Sequence, residues 1–436
     1  MVEIAAYPAS PLSPRLEAIL GRRMGPAQEI EETVRGILER VRQGGDRALA
    51  AICAEIDKVA LPPGGFRVPR AAAHAALASL PAEVRQAMEA AARNVRSFHE
   101  HQRPRSWFVE AGDGVILGKK VVPLQRVGIC APAGAAPLFS SLMMAAIPAQ
   151  VAGVAQICVV SPPRPDGLPH PLMLAAATLL GLDEIYALGG AQAVAALAYG
   201  TESIPAVDLV VGPGSPYTVA AQRQVFGRVG VPLLPGPSEI VVVADQDADP
   251  RLIAADLLSQ AEHGWGVASV CITPCRTLAA AVQLEIERQV VGLPRREQVE
   301  AALGQFGVVV VVPELAAGFE LLNRIAPEHA ELMLAEPWRW LDRVRNCGAL
   351  FLGPASAEPV GDYYAGTNHI LPTDGAARYA SSLEVAHFLK TTSIISYSTE
   401  RLEQTGGHIM SLARAEGLEA HARAIQVRLR DGSEPR

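Results

Sequence analysis

VGICAPAG (127–134) then SLMMAAIPAQVAG (141–153), QICVVSPP (156–163) then PLMLAAATLLG (171–181), EIYALGG (184–190) then AQAVAALAYG (191–200), and DLVVGPG (208–214) then YTVAAQRQVFG (217–227) are four repetitions of one pattern. Each pair opens with a short β-branched run, turns at glycine or proline, and continues as a longer run rich in Ala, Leu and Met. Short apolar runs bounded by turn residues read as buried strands, and the longer runs read as helices. Four strand–turn–helix units in succession predict a parallel, Rossmann-like α/β domain. The rhythm then resumes. EIVVVAD (239–245), DPRLIAADLLSQAEHG (249–264), ASVCITP (268–274), TLAAAVQLEIERQV (277–290) and GVVVVV (307–312) predict a second domain of the same kind, with a further helix after Pro313.

Upstream, apolar residues three and four apart predict a helix over 30–57, stopped by LPPGG (61–65), and another over 70–102, interrupted at Leu80-Pro81. Residues 114–132 read as strands and turns. Residues 381–430 read as helices joined by a polar link at 397–407.

Composition narrows the class. A chain of 436 residues that is 50% apolar and 19% charged has material for two to three domains with large cores. Aromatics make up only 5%, which suits cores of Ala, Val, Leu and Ile between helices and parallel strands. A net charge of −7 argues against nucleic acid as the main partner, since phosphate binding needs a concentrated basic face. The opening MVEIAAYPASPLSPRL lacks the basic region and apolar stretch of a signal peptide. The most apolar window, 137–163, is broken by Pro148, Gln150 and Gln156, so no membrane span is expected. Six scattered cysteines (Cys53, Cys130, Cys158, Cys271, Cys275, Cys347) without a secretory context predict free thiols and a cytoplasmic protein. Cys271 and Cys275 lack a second pair at zinc spacing and read as a strand cysteine and a loop cysteine.

Several polar constellations carry chemistry. Gly189-Gly190 and Gly212-Pro213-Gly214 each follow a strand and open a helix, where backbone and helix N-terminus favour a phosphate; each is also an ordinary turn. Gln260 and His263 lie three apart at the end of a helix and share a face; they offer two metal ligands, or an unremarkable helix end. Glu328-His329 follow Pro327 at an expected helix start. An adjacent carboxylate and imidazole divide acid–base work, or they are a surface pair. Asp362 lies in the glycine-flanked polar loop GDYYAGTNH (361–369), which also suits plain turn chemistry. Glu416 and His421, five apart, read alone as the solvated face of a terminal helix.

Taken together and in order, these segments resemble the histidinol dehydrogenase family. The resemblance runs from GGDRALAAICAEID through SFHEHQRP, LGKKVVPLQRVGI, GLDEIYALGGAQAVAALAYGTESIPAVD, GPSEIVVVAD, DLLSQAEHG, APEHAELM and GDYYAGTNHILPT to LEAHARAIQVRL. It implies an α/β fold of two Rossmann-like, aldehyde-dehydrogenase-like parallel-sheet domains with helical N- and C-terminal extensions. The expected division is 1–25 as an extension, 26–129 with 239–381 as a discontinuous domain carrying most of the site, 130–238 as the nucleotide-side domain, and 382–436 as a helical tail on the partner subunit of a homodimer.

The implied activity is zinc-dependent, NAD-linked oxidation of L-histidinol via histidinal to L-histidine, the last step of histidine biosynthesis. Carried over residue by residue, zinc would be held by Gln260, His263, Asp362 and His421, the last given across the dimer interface. Substrate would meet these four together with Ser238, His329 and Glu416. His329 resembles the family's general base, and Glu328 the carboxylate that activates water. Cys130, Gln192 and Ser215 fall at the cofactor contacts. Departures gather there: Cys130 replaces a usual tyrosine, Ser215 an asparagine, and Gln222 and Gln150 two lysines, while 231–235 (VPLLP) replaces an Ile-Asp run. Those losses motivate a second reading, a related enzyme oxidising another small polar alcohol such as a sulfonated diol. A third reading is a non-catalytic binding protein descended from the enzyme.

Overall fold

A computed structural model describes residues 2–22, 28–133 and 136–429. It divides into two compact units, Met1–Gln102 with Leu124–Phe388, and Arg103–Pro123 with Leu389–Arg436.

The larger unit holds two all-parallel sheets. The first comprises β4 (Arg126–Cys130), β5 (Gln156–Ser161), β6 (Glu184–Ala187) and β7 (Leu209–Val211), in the spatial order β6-β5-β4-β7. Every residue of β4 and β7 is buried, because helices cover both faces of a parallel sheet. The covering helices are Phe139–Ala152, Pro171–Leu179, Gly190–Tyr199 and Pro216–Val225. The helical segment Gln28–Ile52, kinked at Gly45 (φ 49°), buries Val34, Ile37, Leu38 and Val41 in the same core as Val194, Leu197 and Ala221. That segment therefore packs on the four-stranded layer, although it is distant in sequence.

The second sheet comprises β8 (Glu239–Ala244), β9 (Ala268–Thr273), β10 (Gly307–Val311), β11 (His329–Met333) and β12 (Ala349–Leu352), with β1 (Glu3–Ala6) added at one edge. The spatial order is β1-β10-β9-β8-β11-β12. In both sheets the first strand of the series lies inside, the next two are laid down on one side, and the chain then crosses to the other. The reversals fall between β4 and β7 and between β8 and β11.

The smaller unit is a three-stranded antiparallel sheet, β2 (Trp107–Glu110), β3 (Val115–Pro123) and β13 (Leu389–Tyr397), with helices Thr399–Ala415 and Glu419–Gln426. Two expectations fail here. Residues 389–397 form a strand rather than a helix, because LKTTSIISY is rich in β-branched residues and pairs along its length with β3. The supposed polar link at 397–407 is mostly helix, started by Ser398, whose hydroxyl accepts from the Arg401 amide at 3.1 Å.

Three further differences bear on the site. His329 opens a strand, not a helix: Ala326 caps the preceding helix in the left-handed region at φ 54°, and Pro327 follows that stop. Asp362 lies in the short helix Glu358–Tyr363 rather than in a loop. The N-terminal extension supplies β1 as well as the helix Pro14–Gly21. All six cysteines are free. Among the described residues no helix is long and apolar enough to cross a membrane.

Candidate active site

The acid–base residues gather at the amino edge of the six-stranded sheet, beside its reversal. Helix Pro250–Ala261 begins at Asp249, whose carboxylate accepts from the Arg251 amide at 2.8 Å, with Pro250 in the first turn. It runs back from the carboxyl end of β8, so its last turn delivers Gln260, fully buried, to the amino edge. His263 lies in the exposed turn that follows. His329 pairs with Ile240 in the β11–β8 register and is buried.

The His329 ring is oriented by two acceptors. Its Nδ1 lies 2.9 Å from Gln260 Oε1 and 3.2 Å from the Glu239 carbonyl oxygen. Acceptors on that side place the proton on Nδ1 and leave Nε2 with a lone pair. Nε2 has no hydrogen-bond partner among the described residues and lies 3.8 Å from Asp362 Oδ1. Burial pushes the imidazole down to about 3 against the Glu239 carbonyl, with His369 and His263 lowering it further, so the ring is neutral at physiological pH.

Glu328 is also buried, and its Oε2 accepts from the Glu239 amide at 3.0 Å. Burial holds its carboxyl well above the usual range, opposed by that amide and reinforced by Asp362, Glu239 and Glu358. The backbone of one residue thus touches both groups: Glu239 gives its N–H to Glu328 and its carbonyl to His329.

A second layer comes from helix Glu358–Tyr363. Glu358 and Asp362 lie four apart on one face, and burial raises them to about 8 and about 6. The Glu358 amide donates to Glu331 Oε1 at 2.8 Å. Ligand atoms of His263, Glu358 and Asp362 lie within 4.8 Å of one another. His369 Nδ1 donates to the Asp362 carbonyl at 2.9 Å, and the Ser141 hydroxyl donates to His369 Nε2 at 3.0 Å. Asn368 Nδ2 donates to the Met144 carbonyl at 2.7 Å. Ser141 and Met144 belong to the helix that follows β4, so these bonds join the two sheet layers.

At the carboxyl edge of the four-stranded sheet, the predicted cofactor residues flank the reversal. Cys130 ends β4, and burial pushes its thiol up to about 12. Ser215 is exposed and caps helix Pro216–Val225. Gln192 lies in the first turn of helix Gly190–Tyr199 and donates to Asp57 Oδ2 at 3.1 Å. The two glutamines that stand for lysines have structural partners: Gln222 Nε2 donates to the Gly212 carbonyl, and Gln150 bridges Arg96 and the Leu180 carbonyl. Ser238 is half-buried immediately before β8.

Glu416 and His421 lie in the smaller unit, both exposed, and on different helices. Glu416 caps one helix, and Gly417, at φ 76°, turns the chain into the next. Sequence reasoning assigned no role to Ser141, His369, Glu331 or Glu358. His369 stands in the polar stretch already singled out, and Glu358 is four residues before Asp362, so both had a signal. Ser141 and Glu331 had none.

Two parallel doubly wound sheets, joined beside an oriented neutral imidazole, buried carboxylates and a glycine-lined reversal, define an α/β enzyme of the dehydrogenase type. The histidinol dehydrogenase profile matches residues 21–429. The chain is 48% identical over 401 residues to the histidinol dehydrogenase of Halalkalibacterium halodurans, covering 92% of this chain and 94% of that one. It is 48% identical to that of Moorella thermoacetica, covering 93% and 96%. The crystal structure of histidinol dehydrogenase from Elizabethkingia anophelis superposes with a TM-score of 0.92 at 34% identity, covering 98% of both chains. The chain belongs to the histidinol dehydrogenase family and is an oxidoreductase.

Proposed function

We propose that this protein oxidises L-histidinol through histidinal to L-histidine, using NAD and one zinc ion per subunit. The observation that carries the reading is the His329 ring, whose Nδ1 is committed to Gln260 and Glu239 while Nε2 stays free beside Asp362. The neighbours fit a divalent cation: imidazole and oxygen donors of His263, Glu358 and Asp362 already converge, and this donor set suits zinc. Gln260, His263, Asp362 and His421 of the partner subunit would hold the ion, in a homodimer. Zinc would supply a fixed, polarising anchor for the amino alcohol, and NAD, beside Cys130, Gln192 and Ser215, the hydride acceptor for both oxidations.

The chain's own residues do the rest. His329 Nε2 takes the hydroxyl proton as the alcohol is oxidised. Glu328, steadied through Oε2 by the Glu239 amide, takes a proton from the water that adds to the aldehyde. Ser238 and Glu416 contact the substrate's polar groups. Over the whole reaction two hydrides leave one carbon and one water oxygen enters it. Free thiols suit a reducing compartment, and the cytoplasm is the proposed location.

The test is direct. Purified protein should contain about one zinc per subunit and form two NADH for each histidine released. Folded, zinc-replete protein that gives no histidinol-dependent NADH would overturn the reading. Growth of a histidine auxotroph lacking this step would separate histidinol from a sulfonated diol as the substrate.

A further inference from the structure

One guanidinium outside the acid–base set ties together three segments that carry it. Arg22 follows helix Pro14–Gly21. Its Nη1 lies 3.3 Å from Glu239 Oε1, and its Nε lies 3.4 Å from Asp374 Oδ1. Nη2 donates to the Gly266 carbonyl, and the group stacks 4.8 Å from the Phe306 ring centroid. The Arg22 side chain is 10% exposed and that of Glu239 is 3% exposed, so this is an interior ion pair.

Each anchor leads to the site. Glu239 gives its amide to Glu328 and its carbonyl to His329. Gly266 ends the turn that begins at His263 and lies against Pro237, next to Ser238. Asp374 follows Thr373, whose hydroxyl accepts from the Gly236 amide at 2.7 Å, and it lies five residues beyond His369. A planar fork with several fixed donors can hold three such acceptors in one arrangement, which an ammonium cannot.

We propose that Arg22 is a positioning residue for the oxidation. By pinning the Glu239 carboxylate from behind, it fixes the Glu239 backbone, whose amide and carbonyl hold Glu328 and His329 in their working positions. The inference rests on the histidinol reading for its kinetic consequence, though not for its structural one.

The test uses full-length, zinc-loaded R22M, R22K and E239Q proteins. In R22M, kcat with histidinol falls at least tenfold, while KM for NAD stays within twofold and zinc content is unchanged. R22K recovers part of the rate, because charge returns without the fork. E239Q, which removes the facing charge at constant shape, loses kcat at least fivefold and decides the matter if R22M fails to fold. Hydrogen–deuterium exchange supplies a readout independent of substrate: peptides starting at Glu239 and His329 lose protection in R22M and E239Q. A kcat within twofold of wild type in both variants overturns the inference. So does a loss shared equally by kcat, KM for NAD, zinc content and melting temperature. A wild-type protein inactive on histidinol would instead sink the functional reading. The exchange data would then decide the role of Arg22, with unchanged protection counting against it.

Discussion

Gly212→Ala tests the placement of the nucleotide at the carboxyl edge of the four-stranded sheet. Gly212 closes β7 with φ 116°, a region that residues with a Cβ rarely enter. A Cβ there would stand 2.2 Å from the Cys130 carbonyl oxygen and 3.2 Å from its amide nitrogen. Both neighbours are strand backbone, so relief requires β4 and β7 to part by close to an ångström. The φ alone costs about 1–3 kcal/mol, and overpacking adds about 1–3 kcal/mol. The total, about 2–6 kcal/mol, divides between lost stability and displacement of the 212–214 turn. If only about 1.4 kcal/mol appears as weaker dinucleotide contact, affinity falls tenfold.

Fluorescence titration with NADH, alongside thermal melting and zinc analysis, measures each share. The expected protein melts lower, binds NADH at least tenfold more weakly, and keeps its zinc, because the metal candidates lie on the other sheet and the other unit. A variant that melts several degrees lower but binds NADH within twofold of wild type would refute the placement. One unchanged in both respects would refute the strain argument itself.

Three further outcomes are expected. Glu328→Gln keeps a side-chain oxygen for the Glu239 amide but cannot take a proton from water. Aldehyde, trapped with semicarbazide, should accumulate while carboxylate formation falls about 10²–10⁴-fold; equal loss of both steps would contradict the assigned role. Chelation with dipicolinate should abolish turnover and lower the melting temperature, since a bound ion stabilises only the folded state, and zinc should restore both; full activity in chelated, metal-free protein would remove the metal from the mechanism. The third concerns Arg126 and Glu184, 10% and 21% exposed, which form a bidentate pair joined by the Tyr186 hydroxyl at 2.6 Å. Burial alone would raise the Glu184 carboxyl, yet hydrogen bonds from Arg126 and Tyr186 outweigh it and hold the group below its ordinary value. Its contribution is therefore present above the unfolded pKa of about 4.3 and lost as pH falls through the folded value. Arg126→Met should cost about 3–5 kcal/mol at pH 7 by stranding the carboxylate. Glu184→Gln should flatten the acid limb of stability measured by urea titration, and an unchanged limb would rule this pair out as its source.

The larger unit was legible where local rules act alone. Asp249-Pro250 announces a helix start, and the β-branched runs between glycine turns announce parallel strands, so Gln260 and His263 fall at a helix end as their spacing implies. Legibility stops where partners decide. Glu328-His329 after Pro327 look like a helix start, but five residues between β8 and β12 gain more from two ladders than from one helical turn. LKTTSIISY becomes a strand because β3, far away in sequence, offers a full-length edge. Helical periodicity finds a helix over 30–57 without saying which sheet it will cover. Ser141 is an ordinary helix serine until the fold brings His369 against it, and Glu239 acts mainly through its backbone amide and carbonyl, which no side-chain pattern reveals.

The two edges assigned by the proposed function also have an electrostatic logic. In a doubly wound sheet, ligands are expected at the carboxyl edge beside the reversal. The four-stranded sheet offers that place, and the helices starting there, at Gly190 and Pro216, point positive ends toward it, which suits a pyrophosphate. The six-stranded sheet uses its reversal from the opposite side. There the helix carrying Gln260 ends rather than begins, so its negative end faces the site. That edge repels a phosphate and favours a cation. On the proposed function, an anionic cofactor and a cationic metal with an amine-bearing substrate would be sorted to opposite edges of two similar sheets. The carboxyl edge of one is then brought to the amino edge of the other through Ser141, His369, Asn368 and Met144. On this reasoning, duplicating one sheet type serves the proposed reaction because the two copies are joined by unlike edges.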